Sequence, residues 1–485
     1  WSEGQNVRQL EPMGFIKFDI LGLSTLRMIE DCIEKILRRH HGVANPTFGD
    51  IRKFYNEKLH PDVLNLDDQA VYENIFHNKK WIGIFQFTEN GAQTFASQVK
   101  PRSIIDISAI TSIYRPGPLS AGVDREYVEA HNNPESVRYL NNTVREVTQE
   151  THGFLIFQEQ IALLAHKLGR NLTLDEGNLL RKVLTKKGTG KGHEVKEKIY
   201  QKFIDGCSDK GLAISQADNL WQTFEYFSGY GFNKSHAVSY SIISYQCAWL
   251  CNYYNVEWVA SFLDKEPETR KEKAINLAKQ HGYTIQPLNV NKSHRSWEIL
   301  DEQTLVAPLT TIKGMGDKAI DQILAHRPFN TIEEFLFNEN IVYSKLNKKA
   351  LDALCRAGAM TDLIDDRFTG DKHFWTATCV DRPRKLKNLE ENILKYRPEG
   401  NFSDDERIDF LANLTGIFPM NLVLDESIQR KLDQHCVPPI SEFDPELGMC
   451  WCIVREVTKK KTKNGKLFYV ANVIDNNSVE TKVRC

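Results

Sequence analysis

Phe227-Ser-Gly-Tyr-Gly-Phe-Asn-Lys-Ser-His236 runs directly into the amphipathic segment from Ala237 to Tyr254. Two glycines flank an aromatic residue, and an asparagine, a lysine, a serine and a histidine follow within four positions. Such a string reads as a loop that opens a helix. Hydroxyl and backbone donors then converge at the helix N-terminus, where Lys234 adds charge and a phosphate group is favoured. The G-x-x-x-x-G-K-[ST] spacing of a P-loop is absent. In the competing reading Ser235 merely caps the helix and His236 is incidental.

Outward from this string the pattern stays mostly helical from about 50 to 300, with short apolar strands expected at Ile82-Gly-Ile-Phe-Gln-Phe87 and Gly153-Phe-Leu-Ile-Phe-Gln158. Glu159, just after the second run, caps or neutralises the helix that follows. Near the start, Ser24 is a candidate cap for a helix carrying Leu26, Ile29, Ile33 and Ile36 at helical spacing, with Lys35, Arg38 and Arg39 toward its end and Gly42 as a stop. Before it, Gly14-Phe-Ile-Lys-Phe-Asp-Ile-Leu-Gly22 alternates: on a strand, Lys17 and Asp19 share one face and Phe18 and Ile20 the other.

The net charge is only −2 over 485 residues, which excludes a uniformly basic nucleic-acid binder. The distribution points elsewhere. Arg181, Lys182, Lys186, Lys187, Lys191, Lys196, Lys198 and Lys202 face only Glu194 and Glu197, and Arg181, Lys182 and Lys186 can share a helix face. Several phosphate oxygens need several such cations at once, although a solvated charged face is the plainer alternative. A second basic run joins Arg455 to Lys459, Lys460, Lys461, Lys463 and Lys466. Local stripes on a neutral chain suit a polyanion held along defined tracks. Arg115-Pro-Gly-Pro118 is a rigid turn that fixes an arginine at its entrance.

The ten cysteines lack C-x-x-C spacing, so reduced thiols are expected, with Cys450 and Cys452 as core positions of a strand. No apolar run approaches the roughly 20 residues of a membrane span, and Trp1-Ser-Glu-Gly-Gln5 does not resemble a signal peptide. A soluble, cytoplasmic protein of about three domains, with no membrane partner, is the expectation.

Ile312-Lys-Gly-Met-Gly-Asp-Lys318 reads as a helix-hairpin-helix element: Gly314 and Gly316 let backbone N–H groups approach a phosphate while Lys313 and Lys318 supply charge. A second hairpin ends at Gly358. Residues 362–405 look like a mobile connector or a loosely packed helical segment. From Gly448 the period shifts to two, and Met449 to Val457, Asn464-Gly465 and Lys466 to Ile474 form a β-hairpin pattern. A five-stranded oligonucleotide-binding barrel would be truncated here.

Taken in order, Lys17-Phe-Asp-Ile-Leu-Gly-Leu23, Ile84-Phe-Gln86, Tyr114-Arg-Pro-Gly-Pro-Leu119, Phe157-Gln-Glu-Gln160, Leu180-Arg-Lys182 with Lys186-Lys187, and Gly229-Tyr-Gly-Phe-Asn-Lys-Ser-His236 resemble the catalytic alpha subunit of bacterial DNA polymerase III, the C-family replicative polymerases, phage-encoded members included. The resemblance implies a mainly α fold with small β parts: residues 1–25 the end of the palm, 26–300 the fingers, 301–440 a helix-hairpin-helix and clamp-associated region, and 441–485 the start of an oligonucleotide-binding domain.

It also implies template-directed DNA synthesis, with primer-template DNA and a deoxynucleoside triphosphate as partners. Asp19 matches a catalytic, metal-binding carboxylate and Lys17 a phosphate contact, in a two-Mg²⁺ site completed by residues outside this chain. The 485 residues alone are then expected to be inactive. Arg181, Lys182, Tyr230, Lys234 and His236 match positions near the incoming nucleotide, joined from the residue reading by Arg115, Lys186, Lys187 and Ser235 as phosphate ligands.

Lys182 stands where many relatives carry arginine, losing a bidentate fork but keeping the charge. The sliding clamp and other replisome subunits are candidate partners, although no clear Gln-x-x-Leu-Phe string occurs between 360 and 440. No 3′-5′ exonuclease activity is expected in this segment. The alternatives are a non-catalytic nucleic-acid-binding module and, less well supported, a metal-dependent nuclease.

Overall fold

Helix Ser24–His40 sets the pattern for the molecule: Met28, Ile29, Cys32, Ile33, Ile36 and Leu37 form one buried stripe. Leu26 lies off that stripe and is exposed, so its expected place in the core is corrected. Ser24 is already inside the helix; the cap position belongs to Leu23, which offers no side-chain hydrogen bond. Gly42, at φ +68°, ends the segment as its sequence suggested.

The structure, a computed structural model, describes residues 13–16, 21–120, 122–185, 190–227, 231–417, 419–424, 426–444, 446, 448–462, 466–475 and 481–484. Lys17, Asp19, Lys186, Lys187 and Tyr230 therefore lie outside the described residues. The described chain is mainly helical, with two three-stranded sheets and no closed barrel among the described residues.

Two apolar cores organise the helices. The larger gathers residues from Met28 to Ile393 and passes uninterrupted across residue 300, so that Trp258 and Phe262 share it with Leu305, Ile320 and Leu351. The smaller is built from five helices between Asn142 and Phe227 around Leu164, Phe203, Trp221 and Phe224. Close backbone approach tightens it. A Cβ at Gly177 would stand 2.5 Å from the Ala162 carbonyl oxygen, and one at Gly206 would stand 2.2 Å from the Arg170 nitrogen.

Three sequence expectations fail here for physical reasons. Ile82–Phe87 is a series of turns, because its carbonyls are taken by side chains of other segments: Trp258 Nε1 donates to Ile82 O at 2.7 Å, Ser244 Oγ to Phe85 O at 2.9 Å and Gln93 Nε2 to Phe87 O at 2.8 Å. A short apolar run cannot by itself announce such partners. Gly153–Gln158 keeps a single β-bridge, Phe157 to Phe232. Residues 362–405 are packed into the larger core through Phe368, Phe374, Ala377, Cys379 and Leu389, and His373 is wholly buried. The connector reading is overturned because the charged residues there lie on the outer faces of short helices.

Strand β1 (Thr284–Gln286) pairs in parallel with β3 (Thr304–Val306), which pairs antiparallel with β2 (Glu298–Ile299). Then come the 3₁₀ turn Leu309–Thr311, Gly314 at φ +93°, helix Asp317–His326, and helix Lys348–Arg356 capped by Asn347 and stopped at Gly358, φ +73°. The C-terminal strands β4 (Ile453–Lys461), β5 (Leu467–Ile474) and β6 (Thr481–Arg484) form an antiparallel meander. Cys450 and Cys452 precede β4 and are half-buried, a correction to their expected core position in a strand.

Candidate functional site

The bridge between Phe157 and Phe232 sits where the two apolar cores meet, and it organises the cations. Gln158 N donates to Phe232 O at 2.8 Å and Phe232 N to Ile156 O at 3.0 Å. These bonds bring the start of helix Gln158–Leu168 against the start of helix Lys234–Tyr253, more than 70 residues away in the chain. Gln160 pins the same corner, its Oε1 accepting the Ile156 and Phe157 amides at 2.8 and 2.9 Å.

Three cationic residues, Arg115, Arg181 and Lys234, converge on that corner. Arg181 Nη1 donates to Gln158 Oε1 at 2.9 Å, and Gln158 Nε2 donates onward to Gly231 O at 2.8 Å. The Arg115 guanidinium lies 4.4 Å from the centre of the Phe232 ring, and its Nε donates to Ser112 O at 2.8 Å. Burial pulls the Arg115 pKa below its ordinary value, but a group this basic stays charged at neutral pH. Lys234 Nζ is 5.6 Å from the Phe157 ring centre and 2.6 Å from Glu150 Oε1. Lys182, next to Arg181, is exposed.

The helix start is built differently from the sequence expectation. Asn233, not Ser235, is the cap: its Oδ1 accepts the His236 amide at 2.9 Å and the Ser235 hydroxyl at 2.6 Å. The helix begins at Lys234 rather than Ala237 and buries several faces, through Ala237, Ser241, Ser244, Tyr245, Cys247 and Leu250, so it is not simply amphipathic. Glu159 closes the corner, its Oε1 accepting Asn233 Nδ2 at 2.8 Å and its Oε2 the Lys234 amide at 2.9 Å. It thus serves the N-terminus of a second helix as well as its own. Ser235 and His236 are exposed, and the His236 ring packs at a tilt of 40° against that of Tyr240, 4.1 Å between centroids.

Of the basic run, Lys186 and Lys187, which the expected column of charge needs, lie outside the described residues. Arg181 turns inward to Gln158, Lys196 pairs with Glu225 at 2.7 Å and Lys202 with Glu176 at 2.5 Å. In the C-terminal run, Arg455 pairs with Glu272 at 3.3 Å, while Lys459, Lys460, Lys461 and Lys466 are exposed. Lys313, Gly314, Gly316 and Lys318 are all exposed at the head of helix Asp317–His326, whose Asp317 is held by Arg295 at 2.8 Å.

The structure adds Glu150, Gln158, Phe232 and Asn233 to the residues marked in sequence. Asn233 carried a local signal, an asparagine three residues before an unpaired helical amide. Glu150 carried none, since its partner Lys234 is 84 residues away.

Among known proteins, the sequence model of the bacterial DNA polymerase III alpha subunit finger domain matches residues 25–211, and a helix-hairpin-helix motif model matches residues 282–369. The DNA polymerase III subunit alpha of Aquifex aeolicus is 30% identical over 475 residues, 96% of this chain and 38% of that protein. The subunit of Thermus aquaticus is 32% identical over 381 residues, 75% of this chain and 29% of its own length. That of Campylobacter jejuni is 29% identical over 361 residues, covering 73% of this chain and 28% of its own. The chain thus spans less than two fifths of the length of these relatives. With a finger-domain match, a helix-hairpin-helix match and similarity to an alpha subunit along 96% of its own residues, the chain belongs to the bacterial DNA polymerase III alpha-subunit family.

Proposed function

We propose that this chain supplies the fingers and the duplex grip of a template-directed DNA polymerase, transferring a nucleotidyl group from a deoxynucleoside triphosphate to a primer 3′-hydroxyl. The observation that carries the reading is the convergence of Arg115, Arg181 and Lys234 on the Phe157–Phe232 bridge, with Lys182 exposed beside it. Cations from three segments, held by Gln158, Phe232 and Glu150, form a preorganised receptor for a polyphosphate. In this reading Lys234 exchanges Glu150 for phosphate oxygens, and Lys182, Ser235 and His236 approach the nucleotide from the open side. Lys17, Lys186, Lys187 and Tyr230 join them.

Residues 1–25 are assigned to the palm, 26–300 to the fingers, 301–440 to the helix-hairpin-helix region and 441–485 to an oligonucleotide-binding domain. Lys313, Gly314, Gly316 and Lys318 grip duplex backbone without reading its sequence, and the exposed lysines of β4 face single-stranded template.

A divalent ion such as Mg²⁺ would supply the charge that lowers the pKa of the primer hydroxyl and offsets that of the leaving pyrophosphate. The described residues do not form its site: Glu150 and Glu159 are committed to Lys234 and Asn233, and Asp19 lies outside them. Asp19 is proposed as its ligand, together with carboxylates outside this chain.

The test is binding of a labelled primer-template and of triphosphates by the chain. Retention of the triphosphate complementary to the next template base, lost in Arg181→Ala and Lys234→Ala, supports the polymerase reading. DNA binding with no template-dependent triphosphate preference identifies a nucleic-acid-binding module instead.

A further inference from the structure

Three residues that play no part in the nucleotide corner meet behind it. Asp106 stands in the first turn of helix Ile104–Ile113, His131 in the last turn of helix Val123–Asn132, and His152 just after the 3₁₀ turn Gln149–Thr151. One donor atom from each lies within 4.8 Å of the others. Asp106 Oδ2 is 3.4 Å from His131 Nε2 and accepts the Arg102 amide at 2.8 Å, and the two imidazole rings are 4.8 Å apart at 77°.

Asp106 and His131 are buried, and His152 is half-buried, which leaves a path from solvent. Two further polar atoms are stranded in this cluster. His131 Nδ1 and the hydroxyl of Tyr127 are buried with no hydrogen-bond partner. Tyr127 is fully buried, and its ring is 5.7 Å from that of His152 and 6.0 Å from that of His131. A buried polar atom without a partner costs about 1–3 kcal/mol, and two beside one carboxylate and two imidazoles call for a ligand.

We propose that Asp106, His131 and His152 bind a divalent transition-metal ion of the Zn²⁺ class. One carboxylate and two imidazoles form a borderline donor set that suits Zn²⁺ or Co²⁺, whereas Mg²⁺ and Ca²⁺ prefer oxygen donors. Metal–ligand bonds of about 2.0–2.2 Å bring tetrahedral donors to roughly 3.4 Å from one another, so the widest separation in the set closes by up to about 1.4 Å on loading. Water or the Tyr127 hydroxyl completes the shell.

The ion has a positioning role. Helix Ile104–Ile113 runs into Tyr114 and Arg115, and the turn that presents His152 also carries Glu150, the partner of Lys234. A metal at this point ties together the supports of Arg115 and Lys234 and does not touch the nucleotide.

The test loads the chelator-treated 485-residue chain with Co²⁺ and Zn²⁺. The expected result is one equivalent of Co²⁺ with visible d–d absorption and no thiolate charge-transfer band, together with a rise in melting temperature on adding Zn²⁺. His152→Asn, which suits the left-handed backbone at φ +52°, is expected to keep the metal-free melting temperature, weaken Co²⁺ binding at least about tenfold and abolish the Zn²⁺ shift. Absence of stoichiometric binding, a thiolate band from the cysteines, or His152→Asn binding as tightly as the parent would overturn the proposal and leave an Asp106–His131 pair that merely holds two helices.

Discussion

Glu159 accepts the backbone N–H of Lys234 at 2.9 Å, although the two residues are 75 positions apart. One carboxylate therefore satisfies a helix terminus to which it does not belong, and it fixes the direction in which the Lys234 side chain leaves the backbone. Replacing it by glutamine keeps the size but leaves only one oxygen for two donors. Glu159→Gln is expected to lose about 1–3 kcal/mol of stability in urea denaturation and to weaken triphosphate retention alongside.

Lys234 and Glu150 form a half-exposed pair at 2.6 Å, and such pairs contribute about 1 kcal/mol or less to folding. Stability should thus change little in either single variant, while binding separates them. Lys234→Ala is expected to weaken triphosphate binding about tenfold or more, the loss of one charge-assisted contact. Glu150→Gln frees the ammonium and should hold affinity at the parent level or raise it. Equal losses in both variants, read by equilibrium binding of a labelled triphosphate, would show that the pair serves only to shape the corner.

Gly314, at φ +93°, turns the backbone between Lys313 and helix Asp317–His326 in a conformation that other residues adopt only with strain. Gly314→Ala is expected to weaken duplex binding without unfolding the chain, since the position is exposed and the nearest atom to an added Cβ is the flexible end of Lys349 at 3.4 Å. Lys313→Ala and Lys318→Ala should each lower the dependence of log affinity on log salt by about 1. Unchanged slopes in anisotropy titrations would remove these lysines from the interface.

Acid sensitivity follows from the cluster behind the corner. Burial depresses the His152 pKa, with His131 adding to the effect. Burial raises the Asp106 pKa, but the hydrogen bonds from His131 and the Arg102 amide outweigh it, and the net shift is downward. Both groups therefore take up protons more readily in the unfolded chain. The His152 contribution is complete above the ordinary histidine pKa of about 6.5 and is lost as pH falls through the lower folded value. That of Asp106 disappears only at more acid pH. With chelator present, His152→Asn should show a shallower fall in stability between about pH 7.5 and 5.5 than the parent. Part of the slope remains, because burial also lowers His281 and His294.

Where sequence and structure agree, the information is local. Gly42 and Gly358 end helices because each takes, just past the last turn, the left-handed backbone that glycine adopts without strain, and the hairpin of β4 and β5 follows from alternation over a dozen residues. The failures share one cause. Ile82–Phe87 has the apolar content of a strand, yet its carbonyls are taken by Trp258, Ser244 and Gln93. Gly153–Gln158 likewise keeps only one bridge, because its partner Phe232 lies 75 residues beyond Phe157.

The order of short strings along the chain was enough to place the protein in its family, because each string is a local requirement for turning, capping or charge, and it put Arg115, Arg181, Lys182 and Lys234 forward as candidates. Tertiary structure alone decided how those cations are held: Glu150 and Glu159 reach Lys234 and Asn233 across 84 and 74 residues, and Asp106, His131 and His152 meet from three separate segments. Periodicity encodes which face of an element is buried. It does not encode which distant side chain that face will meet, since that follows from the packing of whole helices around two cores.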